Sequence, residues 1–281
     1  MGADCIQYVI TDSVCSPPEF AGDYTERLVH LPRSLLPAIH RHHHANDSLA
    51  LQQPPLPRSK YGLPEEVFVF CSFNTLYKAD PETFGTWMAI LRRVPNSILW
   101  IAASPAEAAD YILREVAAAG INPARLHLLP WLDDDEHLRA KGLCQLFLDS
   151  PNYNAHVTGT DALWVGIPIL TLPVAKMGSR VAASLLSTLG SHVAAELVVR
   201  SYLEYEDRAV SLALNMTRWE LLRAELVDGV VHSPLFDMEH YVRLLERAYD
   251  TMWEIFAAGL PPRHIKLGSE GTNMCRAKSS V

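Results

Sequence analysis

The stretch QLFLDSPNYNAHVTGTDALWVGIPILTL, residues 145–172, decides the fold. Its apolar ends, 145–149 and 168–172, are predicted as buried strands, and residues 158–165 between them as a helix. The same alternation precedes this stretch, with strands and helices predicted at 67–71, 81–93, 97–101, 105–119, 125–129 and 134–141. Short strands that alternate with helices form a parallel sheet covered on both faces. With right-handed crossovers, the pattern predicts a Rossmann-like, doubly wound α/β domain.

Composition divides the chain near residue 60. Residues 40–60 read HRHHHANDSLALQQPPLPRSK, without periodicity, which is typical of a linker or surface loop. The four histidines in it stand at no structured spacing from a cysteine or carboxylate, which favours a low-complexity loop over a metal site. We therefore expect an N-terminal segment at 1–39, a linker at 40–60, the Rossmann-like domain at 61–266 and a disordered tail at 267–281.

The bulk composition excludes several classes of function. The formal net charge of −8 provides no basic field for nucleic acid or membrane surfaces. No apolar run approaches the roughly 18–20 residues that span a bilayer, and the first residues lack the features of a secretion signal. The five cysteines show no CxxC spacing, which is typical of reduced thiols. We expect a soluble protein of the cytoplasm, the nucleus or both.

Two polar loops follow predicted strands, where open parallel sheets bind their ligands. In the first, Lys78 would suit a phosphate if it points into the crevice, although a solvated surface lysine is the more favoured reading on spacing alone. The second enters a helix at Thr158, whose free N–H groups could seat a pyrophosphate, with Gly159 allowing close approach and Asp161 accepting from ribose hydroxyls. Thr158 and Asp161 also fit a capping box, and both readings stay open.

Several segments in consistent order resemble the catalytic C-terminal half of the protein O-GlcNAc transferases, glycosyltransferase family 41. They include CSFNTLYKADP (71–81), LDSPNYNAHVTGTDALWVGIPILTLP (148–173) and SRVAASLL (179–186), while 16–32 resembles the end of the family's N-terminal catalytic half. The resemblance implies the C-terminal half of a GT-B fold with a remnant of the N-terminal half. It also implies inverting transfer of N-acetylglucosamine from UDP-GlcNAc to protein serine and threonine hydroxyls, without a metal or cofactor.

The resemblance also implies roles for individual residues. Lys78 becomes the catalytic lysine that stabilises the leaving diphosphate. The residues implied to contact the UDP moiety are Thr75, His137, His156, Val157, Thr158 and Asp161. Of these, His137 would lie beside the nucleoside, and its alternative as a plain helix-surface histidine stays open.

Four positions depart from the family's pattern. Thr75 stands where the family has glutamine, Asp134 where it has lysine, Ala140 where it has arginine and Val157 where it has a threonine-type residue. Two lost cations and one gained carboxylate beside an anionic ligand should weaken UDP binding by roughly a few kcal/mol if these positions face the ligand.

The family's tetratricopeptide array and most of its N-terminal catalytic half have no counterpart here, so we expect the transferase to be incomplete as written. One alternative is a catalytically inactive nucleotide-binding or protein-interaction remnant. Another is a related GT-B protein O-fucosyltransferase, although such enzymes carry a threonine-rich loop where this chain has His156.

A long helix predicted at 238–257 carries an apolar stripe wider than one face usually needs. Its members include Tyr241, Leu245, Tyr249, Trp253 and Phe256. We expect the uncovered part of this stripe to cause self-association, and the isolated chain to show no transfer. The alternative is that residues 1–60 fold back over the helix.

Overall fold

The computed structural model describes residues 2–43, 56–102, 108–129 and 132–268. The chain starts with strands β1 (Tyr8–Asp12) and β2 (Arg27–Leu31) and a helical turn, α1 (His40–His43). An alternating region follows: β3 (Phe68–Ser72), α2 (Pro81–Arg93), β4 (Ser97–Ala102), α3 (Ala109–Ala118), β5 (Leu126–Leu129), α4 (Asp134–Lys141), β6 (Leu146–Leu148), α5 (Val157–Trp164) and β7 (Ile169–Leu170). The remaining elements are α6 (Val181–Leu189), α7 (Ser191–Leu197), α8 (Tyr202–Leu214), α9 (Met216–His232), α10 (Met238–Ala257) and β8 (Ile265–Lys266).

Strands β3 to β7 form a five-stranded parallel sheet in the order β5-β4-β3-β6-β7. The central strand β3 pairs Phe70 with Leu99 on one side and with Leu146 on the other. All five residues of β3 are buried, because helices cover both faces of the sheet. The strand order reverses between β3 and β6, and such a switch point is where open α/β sheets bind ligands. The predicted α/β, Rossmann-like fold is confirmed.

Local sequence explains where the helices begin. Asp80 accepts a hydrogen bond from the backbone N–H of Thr83, and Pro81 fills the first turn of α2. Asp133 caps α4 in the same way through the N–H of Glu136. None of the helices in the described ranges is long and apolar enough to cross a membrane.

A second parallel sheet, in the order β1-β2-β8, joins the two ends of the described chain. Helix α10 packs on it through Leu244, Ala248 and Ile255, which share a small core with Val29 and Ile265. Asp12, at the end of β1, connects this sheet to the larger domain because its carboxylate accepts hydrogen bonds from the Ser184 hydroxyl at 2.8 Å and the Leu35 N–H at 2.8 Å.

The apolar stripe of α10 is therefore buried on one face of the helix and exposed on the other. The N-terminal strands cover one face of the helix, as the alternative prediction had it. On the other side Trp253 is 67% exposed and Phe256 is 66% exposed, with their rings 5.6 Å apart, and Tyr249 is exposed as well. Part of the stripe is thus uncovered in the described structure.

The segment predicted as a linker starts differently from the prediction. His40 is buried, not part of a surface loop, because its ring packs against Trp164 at 5.6 Å and Phe236 at 5.7 Å. Residues 44–55, and with them His44 and most of the proline-rich run, lie outside the described residues. The domain boundaries themselves stay a prediction.

Candidate active site

Lys78 lies at the carboxyl edge of the five-stranded sheet, in the short 3-10 turn Leu76–Lys78 that follows β3. Its ammonium is 3.3 Å from the carbonyl oxygen of Asn154, to which it donates, and 4.5 Å from the centre of the Tyr153 ring. Both partners belong to the loop after β6. Lys78 therefore points across the switch point, and the reading as a free surface lysine is wrong.

The charge of Lys78 is poorly balanced by its surroundings. No carboxylate in the described part of the chain forms an ion pair with its ammonium. Partial burial lowers the pKa of Lys78, although the negative charge of Asp149 raises it. A half-buried ammonium without a paired carboxylate attracts an anionic ligand. Thr75, exposed one turn earlier, accepts the Lys78 backbone N–H on its carbonyl oxygen at 3.0 Å.

Asp149 holds the two loops of this edge together. Its Oδ1 accepts hydrogen bonds from Asn74 Nδ2 at 3.0 Å, the Ser150 N–H at 2.9 Å and the Ala155 N–H at 2.7 Å, while Oδ2 accepts from the Thr171 hydroxyl at 2.7 Å. The carboxylate is completely buried, and desolvation raises its pKa to about 6 despite these four donors. Asp149 thus links β3, β6 and β7 beneath Lys78.

The N-terminus of α5 is open. His156 precedes the helix, and no side chain of the described residues caps its first N–H groups. The capping box predicted for Thr158 and Asp161 is therefore not formed, and Val157 is exposed in the first turn. Free N–H groups at a helix start, together with the positive end of the helix dipole, favour an anion.

His156 connects this helix start to Lys78. Its ring stacks on that of Tyr153 at 4.6 Å, and its Nε2 lies 3.1 Å from the Gly178 carbonyl oxygen. Burial and the charge of Lys78 lower the pKa of His156, against the hydrogen bond to Gly178, and thus favour the neutral imidazole. The structure thus brings Lys78, Tyr153 and His156 to one place.

Gly159 has a different role from the predicted one. It is buried, and a Cβ added there would lie 3.3 Å from the Ala155 Cβ and 3.3 Å from the Leu185 Cδ1. The missing side chain lets α5 pack closely against its neighbours. It does not admit a ligand to the backbone.

A second group of polar residues lies farther along α5. Asp161 Oδ1 is 2.8 Å from His40 Nε2, and Asp161 Oδ2 is 2.5 Å from Lys141 Nζ. Burial raises the pKa of Asp161, but the hydrogen bond from His40 and the charge of Lys141 outweigh it and lower the pKa overall. His137, one turn before Lys141 on α4, packs edge-on against Phe73 at 5.8 Å. Its pKa is lowered by burial and by Lys141, against the charge of Asp161.

The substituted positions of α4 do not contribute equally. Asp134 is exposed and acts on His137 electrostatically. Ala140 is fully buried, so this position faces the core of the domain. The predicted weakening of UDP binding therefore rests on Asp134 alone, and Lys141, next to Ala140, adds a cation to the same end of the helix.

Sequence reasoning missed His40, Asn74, Lys141 and Asp149. Asp149 ends a buried strand and opens the polar loop, a position that could have been singled out. Lys141 follows His137 by four residues, which places both on one face of α4. The contact of His40 with Asp161 joins residues 121 apart in sequence, and no local pattern indicates it.

The comparisons with known proteins agree with this geometry. The sequence profile of glycosyl transferase family 41 matches residues 55–245, more than half of the chain. The chain belongs to glycosyl transferase family 41. It is 41% identical over 266 residues to a probable UDP-N-acetylglucosamine–peptide N-acetylglucosaminyltransferase, SEC, of Arabidopsis thaliana, covering 95% of the chain and 27% of that relative.

Further family members and solved structures give the same result. The chain is 37% identical to the UDP-N-acetylglucosamine–peptide N-acetylglucosaminyltransferase of Caenorhabditis elegans, covering 76% of the chain and 18% of that protein. A mutant O-GlcNAc transferase of Thermobaculum terrenum superposes with a TM-score of 0.74 at 29% identity, over 88% of this chain and 45% of that one. The pneumococcal O-GlcNAc transferase GtfA, at 12% identity and a TM-score of 0.51 over 89% of this chain and 45% of that one, shares the fold. The chain thus spans roughly a quarter or less of these curated relatives.

Proposed function

We propose that this chain binds the UDP moiety of UDP-GlcNAc and forms the donor half of a protein O-GlcNAc transferase. The observation that carries the proposal is the half-buried ammonium of Lys78, without a paired carboxylate, beside the uncapped N-terminus of α5 at the switch point of the sheet. A diphosphate at this place would meet a cation and free N–H groups together.

In the proposed reaction, the hydroxyl oxygen of an acceptor serine or threonine attacks the anomeric carbon of N-acetylglucosamine from the face opposite the diphosphate, and the hydroxyl proton is released to water. The bond from that carbon to the diphosphate oxygen breaks, and its electron pair remains on the diphosphate. Lys78 and the helix N–H groups stabilise this growing negative charge, so protein groups supply the stabilisation. The lowered pKa of His156 favours its neutral form, which leaves the positive charge at this place to Lys78.

The first test is a calorimetric titration of the chain with UDP. We expect binding, and its loss in Lys78→Met because the variant keeps the side-chain volume but not the charge. Lys60→Met is the matched control, since Lys60 is an exposed lysine whose charge is paired with Glu136 at 2.7 Å. Binding that is unchanged in Lys78→Met would contradict the proposal.

An assay of UDP release on the same protein distinguishes a transferase from a nucleotide-binding module. Release of UDP from UDP-GlcNAc in the presence of a serine-rich acceptor peptide would support transfer. Binding of UDP without release would favour the nucleotide-binding remnant.

We propose that the exposed face of α10, formed by Tyr249, Trp253 and Phe256, mediates self-association, because large apolar side chains in water favour burial against a partner. We also propose a cytoplasmic or nuclear location, which the free thiols of the four described cysteines support: Cys5, Cys15, Cys71 and Cys144.

A further inference from the structure

Asp161 is held from both sides by cationic or donor groups. His40 Nε2 contacts one carboxylate oxygen at 2.8 Å, and Lys141 Nζ contacts the other at 2.5 Å. Lys141 is only 2% exposed, whereas the Asp161 side chain is 23% exposed. The ammonium therefore lies behind the carboxylate, and the carboxylate alone reaches the surface.

The buried position of the Lys141 ammonium destabilises the fold unless a partner compensates for it. A buried ammonium loses its hydration, and it is tolerated when a carboxylate pairs with it at close range. Within the described ranges, Asp161 is the one hydrogen-bond partner of Lys141 Nζ. The carboxylate has about four lone-pair directions, of which His40 and Lys141 occupy two. Among the described residues, one lone-pair direction on each oxygen thus has no partner, and the side chain is 23% exposed.

We propose that Lys141 is a positioning residue that orients the Asp161 carboxylate to accept both ribose hydroxyls of the nucleotide. This inference rests on the proposed function, because it requires a nucleotide at the switch point. Two adjacent acceptor oxygens match two vicinal hydroxyl donors. His40 supports the same orientation from the other side, since its ring is fixed between Trp164 and Phe236. Lys141 itself does not touch the nucleotide.

The test compares two nucleotides on the full chain. UDP and 2′,3′-dideoxy-UDP are titrated by calorimetry into the unmodified protein and into Lys141→Met. We expect the variant to bind UDP about tenfold or more weakly, as befits charge-assisted hydrogen bonds that lose their geometry. The dideoxy analogue should bind both proteins equally, because it lacks the hydroxyls that Asp161 accepts.

A double variant and a control variant test whether Lys141 acts through Asp161. In Asp161→Asn, the further change Lys141→Met should cost no additional affinity for UDP, since Lys141 acts through Asp161. Lys60→Met, which removes a lysine paired with Glu136 of α4, should leave both affinities unchanged. If Lys141→Met does not fold by circular dichroism, Lys141→Gln replaces it, because the amide keeps a donor without the charge.

An equal loss of affinity for both nucleotides would overturn the inference and show that Lys141 only supports the fold. Unchanged UDP affinity in the variant would overturn it as well. Failure of the unmodified chain to bind UDP would instead overturn the proposed function, and the role of Lys141 with it.

Discussion

Replacement of Asp149 tests how the site is built. Its carboxylate is fully buried and accepts four hydrogen bonds, three of them on Oδ1. Asp149→Ala leaves the Ser150 N–H, the Ala155 N–H and the Thr171 hydroxyl without an acceptor, while Asn74 Nδ2 keeps the Ser150 hydroxyl at 3.2 Å. At about 2–3 kcal/mol each, the three unpaired donors cost about 6–9 kcal/mol in all. It also removes a carboxylate whose burial, with the pKa raised to about 6, costs about 3 kcal/mol at neutral pH. We expect a net loss of about 5 kcal/mol in the free energy of unfolding.

Asp149→Asn is the matched variant. The amide oxygen can keep the three donors to Oδ1, and the Thr171 hydroxyl can turn from donor to acceptor for the new NH₂ group. The variant also has no charge to bury. We therefore expect its free energy of unfolding at pH 7 to equal or exceed that of the unmodified chain.

Urea denaturation followed by circular dichroism measures both variants. A loss of about 5 kcal/mol would leave Asp149→Ala at the edge of folding, because whole domains are stable by about 5–15 kcal/mol. Equal damage in the two variants would refute the reasoning, since it would mean that the negative charge, not the acceptor geometry, holds the loops. An undamaged Asp149→Ala would show that water replaces the carboxylate.

Folding raises the pKa of Asp149 from 3.8 to about 6, so the protonated carboxyl stabilises the fold fully below about pH 4, and this stability is lost as the pH rises through 6. In urea titrations, the free energy of unfolding of Asp149→Asn relative to the unmodified chain should therefore increase by about 3 kcal/mol from pH 4 to 7, and parallel curves would contradict this. Gly159→Val should lower the free energy of unfolding by about 1–3 kcal/mol through overpacking. Gly85→Ala, with open space around it in α2, should raise the free energy of unfolding by about 0.5–1 kcal/mol. Equal melting temperatures of the two variants would show that α5 can move aside. Replacement of Trp253 and Phe256 by serine should reduce self-association in sedimentation without loss of folding, and an unmodified chain that sediments as a monomer at all concentrations would exclude this interface.

The alternating region was predictable because its signals are local. Buried parallel strands are continuous apolar runs, and Asp80 with Pro81 gives a helix start that can be recognised in any context. The helix predicted at 134–141 coincides with α4, and the one at 238–257 with α10. The strands β1, β2 and β8 were missed. Strand β8 has two residues and pairs with β2, more than 200 residues away in sequence, while β1 and β2 lie outside the regular alternation of strands and helices that marks the larger sheet.

The candidate site was predictable in outline and not in detail. Lys78 and His156 follow strand ends, and strand order brings such ends together without any knowledge of side chains. The direction of each side chain could not be predicted, because packing across the domain sets the rotation of each helix about its axis. Gly159 therefore faces the core and Ala140 is buried. The support of Asp161 by His40 and Lys141 depends on that packing too.

The central claim is a diphosphate seat between Lys78 and the start of α5. A crystal structure of the chain with UDP tests it most directly. We predict the diphosphate oxygens within hydrogen-bond distance of the Lys78 ammonium and of the backbone N–H groups of Val157 or Thr158. UDP bound at the amino ends of the strands, or at the β1-β2-β8 sheet, would contradict the account.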